Sequence, residues 1–500
     1  MHKTRLERAE ALLASIQKPF DAPIVGEGNG ASISGVRVGE TADGGIGLFA
    51  TAKDPRFSCP GAVAMSAQQA PDIFREMNVD DAHTVMLFLL NCRHLGRDCF
   101  WHPYIDSLPS HEEIVPLLPA FWPEDEQELL LTGTPLATQA RSAFAALRQF
   151  HETVVSRRLS MSWRERWLQD LCTEDFSAEA FSFERLKWAY AIWHSRAINL
   201  PFPGGPRPCL VPLLDLMNHA NGQPSTVTVG SSSSDPLECD KDLFIWKDER
   251  SSSFGDELFL NYGAKGNGEL LRDHGFVLKD NPADVYELEL PSHPIGGFDI
   301  QLDESLTEQH KRRFFLCRGG SSGCSLPPLL LPTARIIVAQ EGDELNRALE
   351  AYKSEGGTSA GGSEGGGAAF DWSLVDWTAD DPFKAANDAV ARGAPLPCGL
   401  PCENRAVGWL GRLLNEKLQE LPKIAAAADN EDAAPRTRRR EAARVYVAGL
   451  RDVLNDALGE IHRLQEALIE RASSGKRVPK RTREIQLAAE KRLMREGGPL

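Results

Sequence analysis

The sequence predicts an α+β protein, a strand-bearing first part interrupted by helices and followed by a mostly helical second part. Three observations lead there. Short apolar runs closed by turn formers recur at residues 33–50 and again at 210–260, as in Ile33-Ser34-Gly35-Val36-Arg37-Val38 and Leu258-Phe259-Leu260. Between them, from Pro71 to Phe202, apolar residues recur at helical spacing. Beyond Leu290 the pattern is helical again, broken by a Gly/Ser/Thr-rich stretch from Ser354 to Ala369 that is expected to be disordered.

Five hundred residues with 42% hydrophobic content allow two or three domains with their own cores. A net charge of -16 argues against a general nucleic-acid binder and is compatible with attraction of a basic protein segment. The ten cysteines follow no framework. Cys317, Cys324, Cys398 and Cys402 are irregularly spaced, so reduced, non-ligating thiols and no metal site are expected. No stretch approaches the ~20 apolar residues of a membrane span. The N-terminus has no apolar segment after Lys3 and Arg5, so no secretory signal is expected.

In order, residues 4–17 form a helix with Leu6, Ala9, Leu12 and Leu13 on one face, and Asp21 to Gly30 is a connector. Asp43 to Gly47 is a glycine turn where backbone can approach a ligand. Neither this turn nor Gly26-x-Gly28-x-Gly30 sits in a strand-loop-helix unit, which disfavours a dinucleotide fold. Helices are expected around Val85–Leu90, as a pair from Leu129 to Phe150, and from Phe183 to Asn199. Trp101 to Pro109 lies between the first two. Leu210 to Leu214 reads as a short apolar strand stopping in an Asp215-x-x-Asn218-His219 turn, and Leu243 to Trp246 as another strand. Ser231 to Ser234 is expected to be a mobile loop. Gly255-Asp256-Glu257 turns into the strand Leu258–Leu260, which exits through Tyr262-Gly263.

Near the C-terminus, Val447, Leu450, Leu454, Ala457, Ile461, Leu464 and Leu468 alternate in steps of three and four. Packing inside a C-terminal domain is the expectation, with a coiled-coil dimer as the alternative. The basic runs at 436–440 and 476–483 read as solvated helix faces or as import signals.

Five segments occur in a telling order: Gly45-Ile46-Gly47-Leu48-Phe49-Ala50, Ser195-Arg196-Ala197, Asp215-x-x-Asn218-His219, Gly255-Asp256-Glu257-Leu258 through Tyr262-Gly263, and Asp273-His274-Gly275-Phe276. Together they resemble the SET domain of protein lysine methyltransferases of the Rubisco large-subunit methyltransferase-like group. The resemblance implies a SET-domain β-fold with a pseudoknot over residues 33–290, a helical insertion at about 71–202, and an N-terminal helix and connector at 1–32. A helical substrate-binding domain at 291–470 and a basic tail at 471–500 would follow. It implies an S-adenosyl-L-methionine-dependent enzyme that methylates a lysine of a non-histone protein held by the SET groove and the C-terminal helices. A histidine acceptor stays open, as does an inactive SET fold that only binds a partner. A monomer is expected, bound to neither membrane nor nucleic acid. An intracellular, cytoplasmic location is expected, with chloroplast or nucleus open.

The resemblance assigns cofactor binding to Gly44, Ile46, Arg196, Asn218, His219 and Tyr262, and catalysis to Tyr262; His274 is added as a catalytic candidate from its own imidazole chemistry. Arg196 would meet the cofactor carboxylate with its two-pronged donor geometry. Two departures stand out. No cysteine-rich tail follows Tyr262, and His274 stands where the group has a tyrosine. An imidazole there would either face the acceptor amine, giving a rate break at about pH 6 to 7, or pack against Phe276.

Overall fold

The computed structural model describes residues 4–17, 32–41, 45–52, 55–60, 64–158, 178–202, 205–219, 227–231, 243–248, 254–290, 313–318, 326–327, 330–331, 334, 337–338, 399–425 and 435–474. The Ser354–Ala369 stretch, most of the Ser231–Ser234 loop and the 476–483 run lie outside them. By contact the chain divides into two units. The first comprises residues 1–131, 136–281 and 424–446, the second 132–135, 282–423 and 447–500. No helix among the described residues is long and apolar enough to cross a membrane.

The first unit opens on α1 (Arg5–Gln17). Thr4 and Glu7 cap it reciprocally: the Glu7 N–H donates to the Thr4 hydroxyl, and the Thr4 N–H donates to the Glu7 carboxylate. Ala9, Leu12 and Leu13 bury its inner face. Strands β1 (Ser32–Ser34), β2 (Val36–Glu40), β3 (Ile46–Ala50) and β4 (Arg56–Pro60) follow. The helical block contains α2 (Asp81–Leu95), whose residues Thr84 to Cys92 are all buried, so it is a core helix surrounded by protein. Then come α3 (His102–Ser107), α4 (Glu124–Leu131), α5 (Pro135–Phe150) and α6 (Phe183–Arg196).

Helix α6 stops earlier than its periodicity implies. Ile198 to Phe202 is a strand, β5, paired antiparallel with β6 (Gly205–Cys209). Pro201 cannot continue a helix and biases the residue before it to extended backbone. Strands β7 (Asn218–His219), β8 (Val227–Ser231), β9 (Leu243–Asp248) and β10 (Glu257–Leu260) complete two four-stranded sheets. Their orders are β1-β4-β9-β8 and β2-β3-β10-β7.

The run Leu210–Leu214 is not the strand its sequence implies. Only Leu210 makes a bridge, with Met65, and Leu214–Leu216 is a 3-10 turn. Leu213 enters that turn at φ 70°, and every residue from Leu210 to Met217 is buried. A continuous apolar run signals burial on all sides and cannot by itself separate a strand from a buried turn. Pro212, with no N–H, favours the turn.

The first unit also holds the start of α8 (Pro435–Ser474). There Arg439 forms a two-pronged ion pair with Glu126, both side chains about nine-tenths buried. One arginine of the 436–440 basic run is thereby taken from the surface.

In the second unit β11 (Val285–Glu289) pairs antiparallel with β12 (Arg313–Cys317) and buries Tyr286, Leu288, Phe314 and Leu316. Helix α7 (Gly399–Glu420) buries Ala406, Val407, Leu410 and Leu414. The stripe on α8 is buried within the chain from Val447 to Ile461, and its last members, Leu464 and Leu468, are half-buried. At Gly411 a side chain would crowd Ile461, so α7 and α8 approach closely there.

Gly275 terminates the helical turn ending at His274 in a left-handed conformation, φ 74°. A Cβ there would stand 2.6 Å from that of Leu117. Gly275→Ala should therefore lower unfolding stability by about 2–4 kcal/mol, from backbone strain and overpacking together. Denaturant unfolding of the two proteins checks this, and a change under about 0.5 kcal/mol, the level of neutral surface substitutions, would contradict it.

Candidate active site

Strand β10 lies between β3, antiparallel (Glu257↔Phe49, Leu258↔Leu48), and the two-residue β7, parallel (Phe259↔Asn218, Leu260↔His219). Three remote stretches of chain meet there. Asn218 joins them: its Nδ2 donates to Glu257 Oε1 at 2.8 Å on β10 and to the Ile46 carbonyl at 3.2 Å on β3. Gly47 makes room for this junction. A Cβ there would lie 2.8 Å from Glu257 Oε1 and 3.1 Å from Asn218 Nδ2.

The chain leaving β10 carries Tyr262. Its N–H donates to His219 Nδ1 at 3.1 Å, and its hydroxyl donates to the Met217 carbonyl at 2.7 Å. The His219 nitrogen must be bare to accept, so the neutral ring carries its proton on Nε2. The Tyr262 ring sits between two imidazoles, His219 at 5.1 Å and His274 at 4.8 Å between centroids. His274 Nδ1 lies 3.1 Å from the Ser195 carbonyl. A carbonyl only accepts, so Nδ1 carries the proton and neutral His274 keeps a bare Nε2. Gly263, at φ 102°, turns the backbone away after Tyr262.

Burial sets the protonation of this group. It pushes the Tyr262 phenol up to about 12, so the hydroxyl keeps its proton. It lowers both His219 and His274, which are therefore neutral at pH 7. His194, beside Tyr190 and 4.0 Å from Asp273, is pushed down to about 4, again chiefly by burial. Asp273 itself is held by both prongs of Arg272 at 2.8 Å.

The charged part of the site is set back. Arg196, at the end of α6, donates from Nη1 to the Asp215 carbonyl at 2.9 Å and to Asp215 Oδ2 at 3.2 Å. Tyr104 of α3 donates to the same Oδ2 at 2.8 Å. The Arg196 Nε is buried with no partner among the described residues, which leaves a charged donor for an anionic group.

Of the residues singled out from sequence, Ile46, Asn218, His219, Tyr262 and His274 are linked by these contacts. Arg196 joins them through Asp215, two residues before Met217. Gly44 lies outside the described residues. His274 makes the Ser195 contact and also tilts against Phe276, at 5.9 Å between centroids. Burial lowers the His274 pKa from the ordinary imidazole value of 6.5, so any break it causes lies below 6.5. The sequence reading missed Asp215, Glu257 and Tyr104 as parts of the site. An aspartate inside a continuous apolar run was the available signal, since such a charge needs a partner.

No protein-family model matches the chain. It is 28% identical over 245 residues to the ribosomal lysine N-methyltransferase set10 of Schizosaccharomyces pombe, a match covering 47% of this chain and 40% of that protein. It is 25% identical over 276 residues to the actin-histidine N-methyltransferase of Homo sapiens, covering 52% of this chain and 43% of that one. The chain thus spans about two fifths of the length of the curated relatives it matches. Among solved structures, it is similar to the SET domain of LSMT bound to lysine and AdoHcy, with a TM-score of 0.62, 19% identity and 92% of each chain covered. Rubisco LSMT bound to AdoMet gives a TM-score of 0.60 at 18% identity, with 93% of each chain covered. The fold is that of a SET-domain protein. Within that class it is the fold of the Rubisco large-subunit methyltransferase.

The protonation states carry a measurable consequence. In NMR titrations the His219 and His274 imidazoles should have midpoints below 6.5, and His194 at about 4. The unfolded chain then takes up protons first as pH falls. Stability is present above about 6.5 and declines below it. His194→Asn should reduce that decline, as read from denaturant midpoints between about pH 7.5 and 5. An unchanged slope would show that His194 is not held neutral.

Proposed function

We propose that the chain is an S-adenosylmethionine-dependent protein N-methyltransferase acting on a lysine side chain. The observation that carries this reading is the Tyr262 hydroxyl, bonded to the Met217 carbonyl between two neutral imidazoles. When bound, S-adenosylmethionine supplies a methyl group on a positively charged sulfur. Its donors and acceptors match the residues present. Arg196 would meet its carboxylate, Asn218 and His219 would line it, the backbone at Ile46 would flank it, and Tyr262 would face its methyl.

The protein's own groups have defined tasks. Tyr262 spends its proton on Met217 O, so its oxygen lone pairs are turned to other neighbours and favour a partial positive charge there. Because the phenol stays protonated, it acts as a dipole and not as a base. The neutral imidazoles add no repelling charge beside an electrophilic carbon. The bare Nε2 of His274 can take the proton an amine sheds before it attacks. Little covalent chemistry is left for the enzyme beyond alignment and exclusion of water.

Lysine as acceptor is supported by the 92% coverage shared with a structure bound to lysine and by the yeast relative. A histidine acceptor is the second reading, favoured by the actin-histidine N-methyltransferases at similar identity. The protein target would be held by the SET groove and the helices beyond residue 290, and the acidic balance of the chain suits a basic segment.

Incubating the chain with methyl-labelled S-adenosylmethionine and a protein extract tests the reading. Methyl-lysine in the hydrolysate supports it, methyl-histidine selects the second reading, and no protein-bound label leaves a binding module. Tyr262→Phe removes one hydroxyl and little volume. Turnover should fall by about two to three powers of ten, as for loss of one pre-organised polar group, with cofactor affinity changing far less. A near wild-type rate would remove Tyr262 from the chemistry.

A further inference from the structure

We propose that Tyr104 is a positioning residue of the donor side of the site, whose hydroxyl keeps the Asp215 carboxylate ionised and thereby holds Arg196 in place. This rests on the reading that Arg196 engages the carboxylate of S-adenosylmethionine. Helix α3 belongs to the helical insertion at about 71–202 that the resemblance implies, so the inference gives that block a task on the donor side of the site.

The Asp215 side chain has no solvent exposure, and the Arg196 side chain has 10%. Two donors converge on Asp215 Oδ2, the Tyr104 hydroxyl at 2.8 Å and Arg196 Nη1 at 3.2 Å. Asp215 Oδ1 is buried with no partner among the described residues. A buried carboxylate with one bare oxygen is under-solvated, and each donor on the other oxygen counts heavily toward keeping it charged. The shorter of the two bonds is from Tyr104.

The charged and titratable groups facing Asp215 are Arg5 on α1, Tyr104 on α3, Arg196 on α6, and Tyr262 after β10. Burial pushes Asp215 upward, while Arg196, the Tyr104 hydroxyl and Arg5 oppose that. The Tyr104 phenol, fully buried, is pushed far up and stays a donor at every accessible pH. Nothing else hydrogen-bonds Oδ2 among the described residues. Without the Tyr104 hydroxyl, Asp215 takes up a proton at higher pH. Arg196 then loses its counter-ion and the second of its two anchors on Asp215, and an orientation prepared in advance becomes one that binding must impose.

The test is calorimetric titration of the full chain with S-adenosylmethionine from pH 5.5 to 8.5, comparing wild type with Tyr104→Phe, which keeps the ring packing. At pH 8.5 the two affinities should agree within about twofold. Toward the acid end the variant should fall about tenfold below wild type, its acid limb displaced upward by about one pH unit. In an Asp215→Asn background, where residue 215 has no proton to gain, Tyr104→Phe should no longer displace the acid limb, and only that of the histidines remains. A loss that is equal at every pH, or a displacement of the acid limb by Tyr104→Phe that persists in the Asp215→Asn background, would overturn the proposal.

Infrared titration of the ligand-free protein provides a readout independent of the cofactor. The carboxyl band that disappears in Asp215→Asn should protonate at higher pH in Tyr104→Phe, and an unshifted band would refute the role of Tyr104. A wild-type chain that binds no S-adenosylmethionine while this band does shift would refute the cofactor reading alone.

Discussion

The site depends on the parallel pairing of β10 with a strand only two residues long, Asn218–His219. Two pairs of residues supply few ladder hydrogen bonds, and such a pairing is weak alone. Side chains reinforce it at both ends. At one end the Asn218 amide ties β10 to β3 through Glu257 and the Ile46 carbonyl. At the other the Tyr262 N–H reaches back to the His219 ring. The Tyr262 hydroxyl then closes onto Met217, next to the strand it pairs with. If this junction slips by one residue, each of these side chains is presented to the wrong face.

Such a junction is entropically demanding, because Asn218 stands 172 residues from Ile46 and 39 from Glu257 along the chain. Loop closure grows slowly with length, so the insertion adds less than its size implies. The frame around it is well filled. Helix α2 is buried over Thr84 to Cys92, and Leu48, Met65, Leu210, Leu213 and Leu258 belong to the same core cluster. Leu213 turns at positive φ just before Asp215, and Gly47 leaves space for the Asn218–Glu257 bond.

Charge is arranged in two layers. Next to Tyr262 the titratable groups are neutral at pH 7, because burial penalises charge on His219, His274 and the phenol alike. Full charges stand in the buried pair Arg196–Asp215, with Tyr104 as a second donor, and in the Arg272–Asp273 pair. A buried ion pair contributes little net stability, and its value lies in orienting groups. In Arg196–Asp215 it fixes a guanidinium whose Nε has no partner among the described residues.

Periodicity and turn chemistry placed α1, the strands at 36–50 and 257–260, and the apolar stripe of α8, since each follows from local spacing of apolar residues. The order of five short segments was enough to bring Ile46, Asn218, His219, Tyr262 and His274 under one heading, because each segment pairs an unusual polar residue with a turn or a glycine. Local spacing could not reveal that Leu210–Leu214 is a buried turn or that Ile198–Phe202 pairs as a strand, since both are decided by what surrounds them. Nor could it disclose that Tyr104, 111 residues away, bonds to Asp215. Sequence by itself determined which residues are chemically equipped for the site. Only the tertiary structure decided their protonation and their partners, because desolvation and hydrogen-bond convergence are properties of the space around a group, and that space is assembled from residues remote in the chain.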